Sequence, residues 1–520
     1  MYKSCMLIIA LVLASLGLNA QETWSEEFPK EVNFVKTTPL GVAIVGTQDA
    51  LYGYNEKGEK LWENPKLKKV EKLWVEHLSG SELLYVIDKG MLGRNRVINM
   101  FTGEIYMEDL FVLGAQVVHP TNDLWLIDQD KSVHCIDIES KTEKWMAKGY
   151  DLAFHGQHFI GLGNGKITLS GNQPFTYTSR TTAIVHPGAG TLGEIDLNTG
   201  KYNWAVDFKP FKFKKPGKKD ADVTSAPADG FATMKLNNDR SVLYFPFRDK
   251  LLAIDTKTGQ SLWDEKAHKG MGRVRDMYLT EKGILTLSTL GIYMINPSTG
   301  AQVWSKPLKL KGASESLLVQ DGDDFYAVSK KYLVKVDINK PALKQLTDKI
   351  KFDGGETFTD ISVEDNMVVL SSYQNIVGID KNSGEVKYQV FYPKPGASFA
   401  TIAGNIALAA VAAAATMSSY ANNMHNADAF GNFTYYQYTP AYLTEGGSRT
   451  LESDQYMYIS TKFKDADANG FGLAKVDRLT GETTDKIVIG DREPVYDVDE
   501  GASVIYFKSD KSAITCRPMQ

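Results

Sequence analysis

The segment KFKDADANGFG places oxygen-bearing side chains at a spacing that suits a hard cation. Asp465, Asp467 and Asn469 alternate and are followed by glycine, in the order D-x-D-x-N-G. Calcium takes several oxygen ligands, and this spacing curls them around one point. Val476 stands where such a loop usually has Glu, and Asp477 is next. The pattern fits either a calcium site formed by Asp465, Asp467, Asn469 and Asp477 or a polar hairpin between two strands, where these residue types are also common.

Lysine and phenylalanine are interleaved in FKPFKFKKPGKKD, residues 208–220. Basic residues mixed with aromatic ones can hold anionic polymers or surfaces. The formal net charge of the chain is −5, however, so the overall charge gives no reason to expect a nucleic-acid partner. We therefore interpret residues 208–230 as a basic, solvated loop inserted into the fold.

An alanine-rich stretch, residues 397–423, has no turn signals and contains strong helix formers. A run of tyrosines follows it, and such a loop suits contact with a protein or a glycan, or simply covers a helix. These tyrosines are Tyr435, Tyr436, Tyr438 and Tyr442. We predict a helical and Tyr-rich insertion over residues 394–445. Its helix either packs on the rest of the protein or docks on a partner or a membrane surface.

The N-terminus has the composition of a signal peptide. A basic start and an apolar run precede a small residue, Ala20, after which cleavage is expected. The apolar run is shorter than the roughly 20 residues that a spanning helix needs. We predict a signal peptide over residues 1–20 and an exported protein, periplasmic or extracellular. Cys135 and Cys516 then remain, and we expect two buried reduced thiols.

Motifs of common hydrolytic and nucleotide-binding centres do not occur in the sequence. The patterns G-x-S-x-G and H-E-x-x-H and the phosphate-binding loop are all absent. His155 and His158 would face opposite sides of a strand, so we interpret them as structural. The sequence thus gives no support to a serine hydrolase, a zinc protease or an NTPase.

A short pattern recurs along most of the chain. In LLAIDTKTGQSLWDEK an apolar run ends at Asp255, a Thr-Gly turn follows at Gly259, and Trp263 lies eight residues after the Asp. Most neighbouring copies lie about 40 residues apart, a period typical of repeat proteins. The residues at the Asp position are Asn55, Asn99, Asp137, Asp196, Asp255, Asn296, Asp337, Asp380 and Asp477.

Each position of the pattern has a physical reason. The Asp or Asn side chain can accept hydrogen bonds from the backbone of its turn. Glycine four residues later tolerates positive φ, as at Gly200, Gly259 and Gly300. A large flat ring once per repeat suits the seam between neighbouring sheets. These rings are Trp62, Trp145, Trp204, Trp263 and Trp304, with Tyr388 in the same place in a further copy.

Four short strands in about 40 residues, without helical periodicity, predict an all-β fold and the blades of a closed β-propeller. The apolar run, Asp, Thr-Gly and Trp resemble the tryptophan-docking repeat of pyrroloquinoline-quinone (PQQ) propellers. Members of that family usually have eight blades, whereas the repeat count here indicates nine or ten. The C-terminal region lacks one strand of a blade, and the segment TWSEEF with Trp24 could supply it.

The resemblance implies two functions. Family dehydrogenases oxidise alcohols or sugars with PQQ and calcium, and commonly carry adjacent cysteines, which this chain lacks. Another member of the group is a non-catalytic outer-membrane assembly lipoprotein. We favour a non-catalytic binding or scaffold protein of the bacterial cell envelope, without a cofactor, that contacts protein or glycan through its insertions. Residues 397–423 could also touch the membrane. A PQQ- and calcium-dependent dehydrogenase is the alternative.

Overall fold

A computed structural model describes most of the chain between residues 24 and 519. The described residues are 24–70, 72, 75–78, 80–86, 95–110, 112–118, 121–128, 133–147, 159–162, 166–169, 175–188, 191–207, 235–247, 250–263, 270–272, 274–312, 316–395, 441–445, 448–453, 455–464 and 468–519. Over these residues no helix is both long and apolar enough to cross a membrane.

Short apolar runs separated by turn residues form antiparallel strands, as the sequence pattern predicts. The strands make ten sheets of three to five strands, numbered here as blades 1 to 10, and one separate hairpin. Blade 1 contains β2 (Val32–Thr37), β3 (Ala43–Thr47), β4 (Leu51–Tyr54) and β5 (Lys60–Asn64). Blade 2 contains β6 (Val75–His77), β7 (Leu83–Val86), β8 (Asn95–Asn99) and β9 (Ile105–Leu110). Blade 3 contains β10 (Val112–Val118), β11 (Asp123–Asp128), β12 (Val133–Asp137) and β13 (Glu143–Ala147).

The separate hairpin and blades 4 to 6 follow along the chain. The hairpin contains β14 (Phe159–Leu162) and β15 (Lys166–Leu169). Blade 4 contains β16 (Phe175–Tyr177), β17 (Thr182–Gly188), β18 (Thr191–Asp196) and β19 (Tyr202–Asp207). Blade 5 contains β20 (Lys235–Leu236), β21 (Val242–Phe247) and β22 (Lys250–Asp255). Blade 6 contains β23 (Val274–Thr280), β24 (Gly283–Ser288) and β25 (Gly291–Ile295).

Blades 7 to 10 complete the set. Blade 7 contains β26 (Leu318–Asp321), β27 (Asp324–Ser329), β28 (Tyr332–Asp337) and β29 (Ala342–Gln345). Blade 8 contains β30 (Asp360–Glu364), β31 (Met367–Ser371), β32 (Asn375–Asp380) and β33 (Val386–Phe391), preceded by a 3-10 turn at Asp353–Gly355. Blade 9 contains β34 (Ala441–Glu445), β35 (Ser448–Glu452), β36 (Tyr456–Lys464), β37 (Asn469–Asp477) and β38 (Thr483–Val488). Blade 10 contains β1 (Trp24–Glu27), β39 (Tyr496–Asp499), β40 (Val504–Asp510) and β41 (Ala513–Pro518).

The chain divides into two compact units. The first comprises the described residues up to Leu110, with Lys462–Ala474 and the residues from Thr484 onward. Its apolar cores lie between neighbouring blades. In one of them Val45 of blade 1 packs with Tyr506 and Ile514 of blade 10.

The second unit comprises Phe111–Thr461 and Lys475–Thr483. Its cores follow the same rule, since each joins two consecutive blades. Between blades 7 and 8, for example, Tyr326 packs with Leu370 and Ile379, and all three side chains are buried. Alternating side chains therefore bury both faces of a blade against its neighbours.

Strand β1 closes the C-terminal blade. Trp24 pairs with Cys516 and Glu27 with Ala513, which adds β1 to the sheet in the order β1-β41-β40-β39. This closure, expected from TWSEEF, is confirmed, and it covers a sheet edge that would otherwise be open. The all-β propeller is confirmed as well. Its ten blades agree with the nine or ten expected from the repeat count and exceed the eight that are usual in the family.

The predicted insertions lie largely outside the described residues. This holds for the basic loop at 208–230, for the alanine-rich segment at 397–423 and for the signal peptide at 1–20. The last five residues of the predicted 394–445 insertion form strand β34, which pairs with β35 and makes blade 9 five-stranded. This part of the insertion is therefore a strand of blade 9.

Candidate functional site

The recurring carboxylates cap their own turns. Asp255 Oδ1 accepts hydrogen bonds from the backbone N–H groups of Lys257 at 2.9 Å and Thr258 at 2.8 Å, and from Thr258 Oγ1 at 2.9 Å. At Asp137 the backbone N–H of Ser140, assisted by Lys144, lowers the pKa of the carboxyl to about 2. Such groups are ionised and fully engaged at neutral pH, so they are poorly suited to proton transfer.

The same acceptor role recurs in every copy of the repeat. Backbone N–H groups two to four residues downstream donate to Oδ1 of Asn55, Asn99, Asp137, Asp196, Asp255, Asn296, Asp337, Asp380 and Asp477. The repeated Asp and Asn side chains thus accept hydrogen bonds that stabilise their own turns.

Glycine is required in these turns for two reasons. Gly259 has a φ of 70° and donates its N–H to Asp255 O at 2.8 Å. A Cβ at this position would lie 2.3 Å from Cε3 of Trp204, which belongs to the preceding blade. Gly200 receives the ring of Trp145 in the same way. The turn glycine therefore provides a flat surface for a ring as well as the left-handed backbone.

Five of the docked indoles also donate a hydrogen bond to the turn that they cover. Trp62 Nε1 in blade 1 donates to Met100 O at 2.7 Å in blade 2, and its ring lies on Gly103. The corresponding bonds run from Trp24 to Glu56 O, Trp145 to Leu197 O, Trp204 to Thr256 O and Trp263 to Pro297 O. Trp304 is buried in the core between blades 6 and 7. These rings join consecutive blades.

The seam between blades 8 and 9 has a different construction. The Tyr388 ring lies on Gly481, and its hydroxyl donates to Arg478 O. The Arg478 side chain is 7% exposed and forms ion pairs with Asp360 at 3.5 Å and Glu364 at 3.3 Å. A buried guanidinium between two carboxylates therefore supplements the ring.

The structure separates the described members of the predicted calcium set. Asp465 and Asp467 lie outside the described residues, whereas Asn469 and Asp477 are the first and last residues of β37. Eight strand steps of about 3.3 Å place these two roughly 26 Å apart. Over the described part of the chain, no group of three or more His, Cys, Asp and Glu side chains is arranged to hold a metal.

The predicted contact tyrosines are mostly beyond what the structure describes. Tyr435, Tyr436 and Tyr438 lie outside the described residues, and Tyr442 is part of strand β34. Cys135 and Cys516 are both buried, free thiols. Burial raises the pKa of each thiol to about 12, which makes both unreactive.

Charged groups meet where the first strands of blades 10, 1 and 2 come together. Asp497 Oδ2 accepts from the N–H of Thr37 at 2.9 Å and pairs with Lys72 at 3.2 Å. Lys36 Nζ donates to Val75 O at 2.5 Å. Burial raises the pKa of the adjacent Glu76 to about 7, against the opposing effect of Lys36. This cluster contains a carboxyl that titrates near neutrality.

A polar cradle around Glu356 was not expected from the sequence. Glu356 Oε2 accepts from Ser372 Oγ at 2.5 Å, Gln374 N at 3.0 Å and Asn375 Nδ2 at 2.9 Å. Glu356 lies on the connection into blade 8, and the three donors lie between the middle strands of that blade. The only local signal is the pair of glycines in DGGETF, which indicates a sharp turn.

The sheets, docking turns and closing strand define a β-propeller built from PQQ-type repeats. A family model described as outer membrane protein assembly factor BamB matches residues 41–276 and 129–390, and the chain belongs to this family.

Several solved structures are similar to this chain. BamB from Moraxella catarrhalis is 11% identical, with 86% of this chain and 96% of that chain covered and a TM-score of 0.34. The computationally designed Ika8 protein is 12% identical, covers 71% and 98%, and has a TM-score of 0.33. A eukaryotic initiation factor is 10% identical, covers 70% and 89%, and has a TM-score of 0.41. No curated protein sequence matches the chain.

Proposed function

We propose that this protein is a non-catalytic binding or scaffold protein of the bacterial cell envelope. The observation that carries the proposal is the commitment of the repeated Asp and Asn side chains to their turns, because it leaves contact with partners to the connections between strands. Membership of a family described as an outer-membrane assembly factor supports an envelope location and a protein partner. In repeat folds, function resides in what the loops carry.

The topology of the blades favours one end of each blade for this contact. In blade 4 the capped turn at Asp196 lies at one end, and the connection 208–234 leaves from the other. In blade 8 the connection that contains residues 396–440 likewise leaves opposite the turn at Asp380. Strands β19 and β33, after which the two long connections begin, thus end opposite the structural turns.

We place partner contact in the second of these connections, through Tyr435, Tyr436 and Tyr438, and in the strand that follows it, through Tyr442. The test replaces residues 397–440 with a short Gly-Ser linker, which keeps strand β34 intact. The variant should retain its circular dichroism spectrum and melting temperature, while cross-linked partners disappear from pull-downs.

A matched replacement of residues 208–230 serves as the control and should leave those partners in place. Collapse of the fold in the 397–440 variant would contradict the proposal, because it would show that the segment belongs to the core. Calcium binding by residues from the set Asp465, Asp467, Asn469 and Asp477 is kept as a hypothesis, in which Asn469 and Asp477 do not share one ion because they lie at opposite ends of β37.

The alternative function is tested on the same purified protein. Addition of pyrroloquinoline quinone and calcium should produce neither binding of the quinone nor dye-linked oxidation of alcohols and sugars. Turnover with either substrate class would overturn the scaffold proposal.

A further inference from the structure

A small cavity next to the Glu356 cradle has an unusual charge arrangement. Its volume is about 30 Å³, and Lys330, Lys331, Phe352, Glu356 and Phe358 are among the residues that line it. The two phenylalanines are in edge-to-face contact with their ring centres 4.6 Å apart. One glutamate and two lysines therefore line a small space beside apolar rings.

The two oxygens of Glu356 have different environments. Oε2 accepts three hydrogen bonds, whereas Oε1 is buried and has no hydrogen-bond partner among the described residues. A buried carboxylate oxygen without a donor is costly, since desolvation is not compensated. The side of the carboxylate that lacks a protein donor can thus accept a hydrogen bond from water or from a bound group.

The surrounding backbone holds this carboxylate in place. Asn375 Oδ1 accepts from the N–H of Asp353 at 3.0 Å, and its Nδ2 donates to Asp353 O at 3.1 Å. Gly354 follows with a φ of 67°, which turns the chain so that Glu356 meets its donors. Because the Asn375 side chain is fully buried, the acceptor is preorganised.

Size and charge restrict what can bind. A water-sized group needs only about 10–15 Å³ of such space, so an ammonium group fits in the cavity. A charged N–H donor forms the strongest hydrogen bond to a carboxylate. Lys330 and Lys331 would repel a simple cation, so the ligand must also carry an anionic group.

We propose that this cavity binds a small zwitterion through a primary ammonium group, with Glu356 Oε1 as acceptor and Lys330 and Lys331 binding the anionic group. O-phosphoethanolamine and the phosphatidylethanolamine headgroup share this chemistry. A trimethylammonium group has no N–H to donate. The inference is independent of the scaffold function, since it concerns different residues.

Calorimetric titration of the full chain with O-phosphoethanolamine, O-phosphocholine and inorganic phosphate tests the ligand class. O-phosphoethanolamine should bind at least about tenfold more tightly than the other two, the effect of one charge-assisted hydrogen bond. Equal binding of all three, or no binding, would overturn the proposal.

The variant Glu356→Gln tests the acceptor. A glutamine can keep its carbonyl oxygen on the three donors and place an NH₂ group where Oε1 lies, which reverses the hydrogen-bonding direction in the cavity. Affinity should fall about tenfold or more, with the melting temperature maintained. Glu385→Gln, the same change at an exposed carboxylate, is the control and should bind normally.

A second variant keeps the test decisive if Glu356→Gln does not fold. Lys330→Gln combined with Lys331→Gln should weaken binding of O-phosphoethanolamine several-fold, and unchanged affinity would contradict the assignment of the anionic end.

Flotation with phosphatidylethanolamine vesicles, compared with phosphatidylcholine vesicles, distinguishes a lipid headgroup from a soluble zwitterion as the ligand. Flotation only with the former assigns a lipid headgroup, and none assigns a soluble zwitterion, provided that the free ligand binds. Equal flotation with both vesicles would contradict recognition of the ammonium group.

Discussion

The seam between blades 1 and 2 and the seam between blades 8 and 9 join consecutive sheets by different means. In the first, the buried indole of Trp62 lies on Gly103 and donates to Met100 O. In the second, Tyr388 takes the place of the indole, and Arg478 adds ion pairs to Asp360 and Glu364. The smaller ring thus coincides with an added network of buried charge.

The connections across the two seams also differ. Ten residues separate β5 from β6, whereas 49 separate β33 from β34. A long connection restrains its ends less than a short one, because closing a longer loop costs more entropy. Contacts between the blades must then hold the seam by themselves. We infer that the Arg478 network allows a large insertion to be carried without opening the fold.

The largest effect is expected from removing the indole at the first seam. Trp62→Ala should lower the free energy of unfolding by about 3–5 kcal/mol, as large core truncations do. Chemical denaturation measures this change. Leu61→Ala, at a neighbouring side chain that is 38% exposed, is the control and should change stability by less than about 0.5 kcal/mol. Similar effects for both variants would mean that the ring does not hold the seam.

Removing the cation at the second seam should have a somewhat smaller effect. Arg478→Met should cost about 3 kcal/mol, because it leaves Asp360 and Glu364 as uncompensated charges. The same denaturation experiment gives the value. Neutralising the partners in Arg478→Met/Asp360→Asn/Glu364→Gln should recover part of the loss. A triple variant no more stable than the single one would show that Arg478 acts through packing alone.

The sequence predicts the first kind of seam better than the second. Asp255, Gly259 and Trp263 lie within nine residues, and their roles follow from turn geometry that any copy of the repeat must satisfy. The closing strand at Trp24 was predictable for a similar reason, since the last blade visibly lacked one strand. The roles of residues in a short turn that recurs many times can therefore be predicted from the sequence alone.

The remaining features depend on contacts between distant residues. Arg478 follows the capping Asp477, a turn position that is often solvated, yet its guanidinium reaches Ser362, 116 residues away. The Glu356 cradle draws on donors 16 to 19 residues downstream, with no recurring pattern to indicate them. The calcium prediction grouped Asn469 with Asp477 because spacing in the sequence does not show that these two residues lie at opposite ends of one strand.

A smaller effect should appear as a pH dependence at the first seam. The folded pKa of Glu76 is about 7, above its ordinary value of 4.5, so the folded state binds the proton more tightly. This stabilisation is complete below about pH 4.5 and is lost as the pH rises through 7. Between pH 5 and pH 8 it should fall by about 1–2 kcal/mol, since Glu76 keeps some contact with solvent.

Denaturation at pH 5, 6.5 and 8 measures this dependence, with Glu76→Gln as the reference. The variant cannot release the proton, so its stability should change less over the range. Parallel curves for the two proteins would mean that Glu76 is not the source of the pH dependence.

The smallest effect separates the ring at the second seam from its hydroxyl. Tyr388→Phe keeps the aromatic surface on Gly481 and removes only the donor to Arg478 O, so it should cost about 1 kcal/mol. Tyr388→Ala should cost several times more, as aromatic core truncations do. If both variants lose the same stability, the hydroxyl carries the contact and the ring is incidental. If Tyr388→Phe is neutral while Arg478→Met is severe, the side chain of Arg478 holds the seam without help from its own carbonyl.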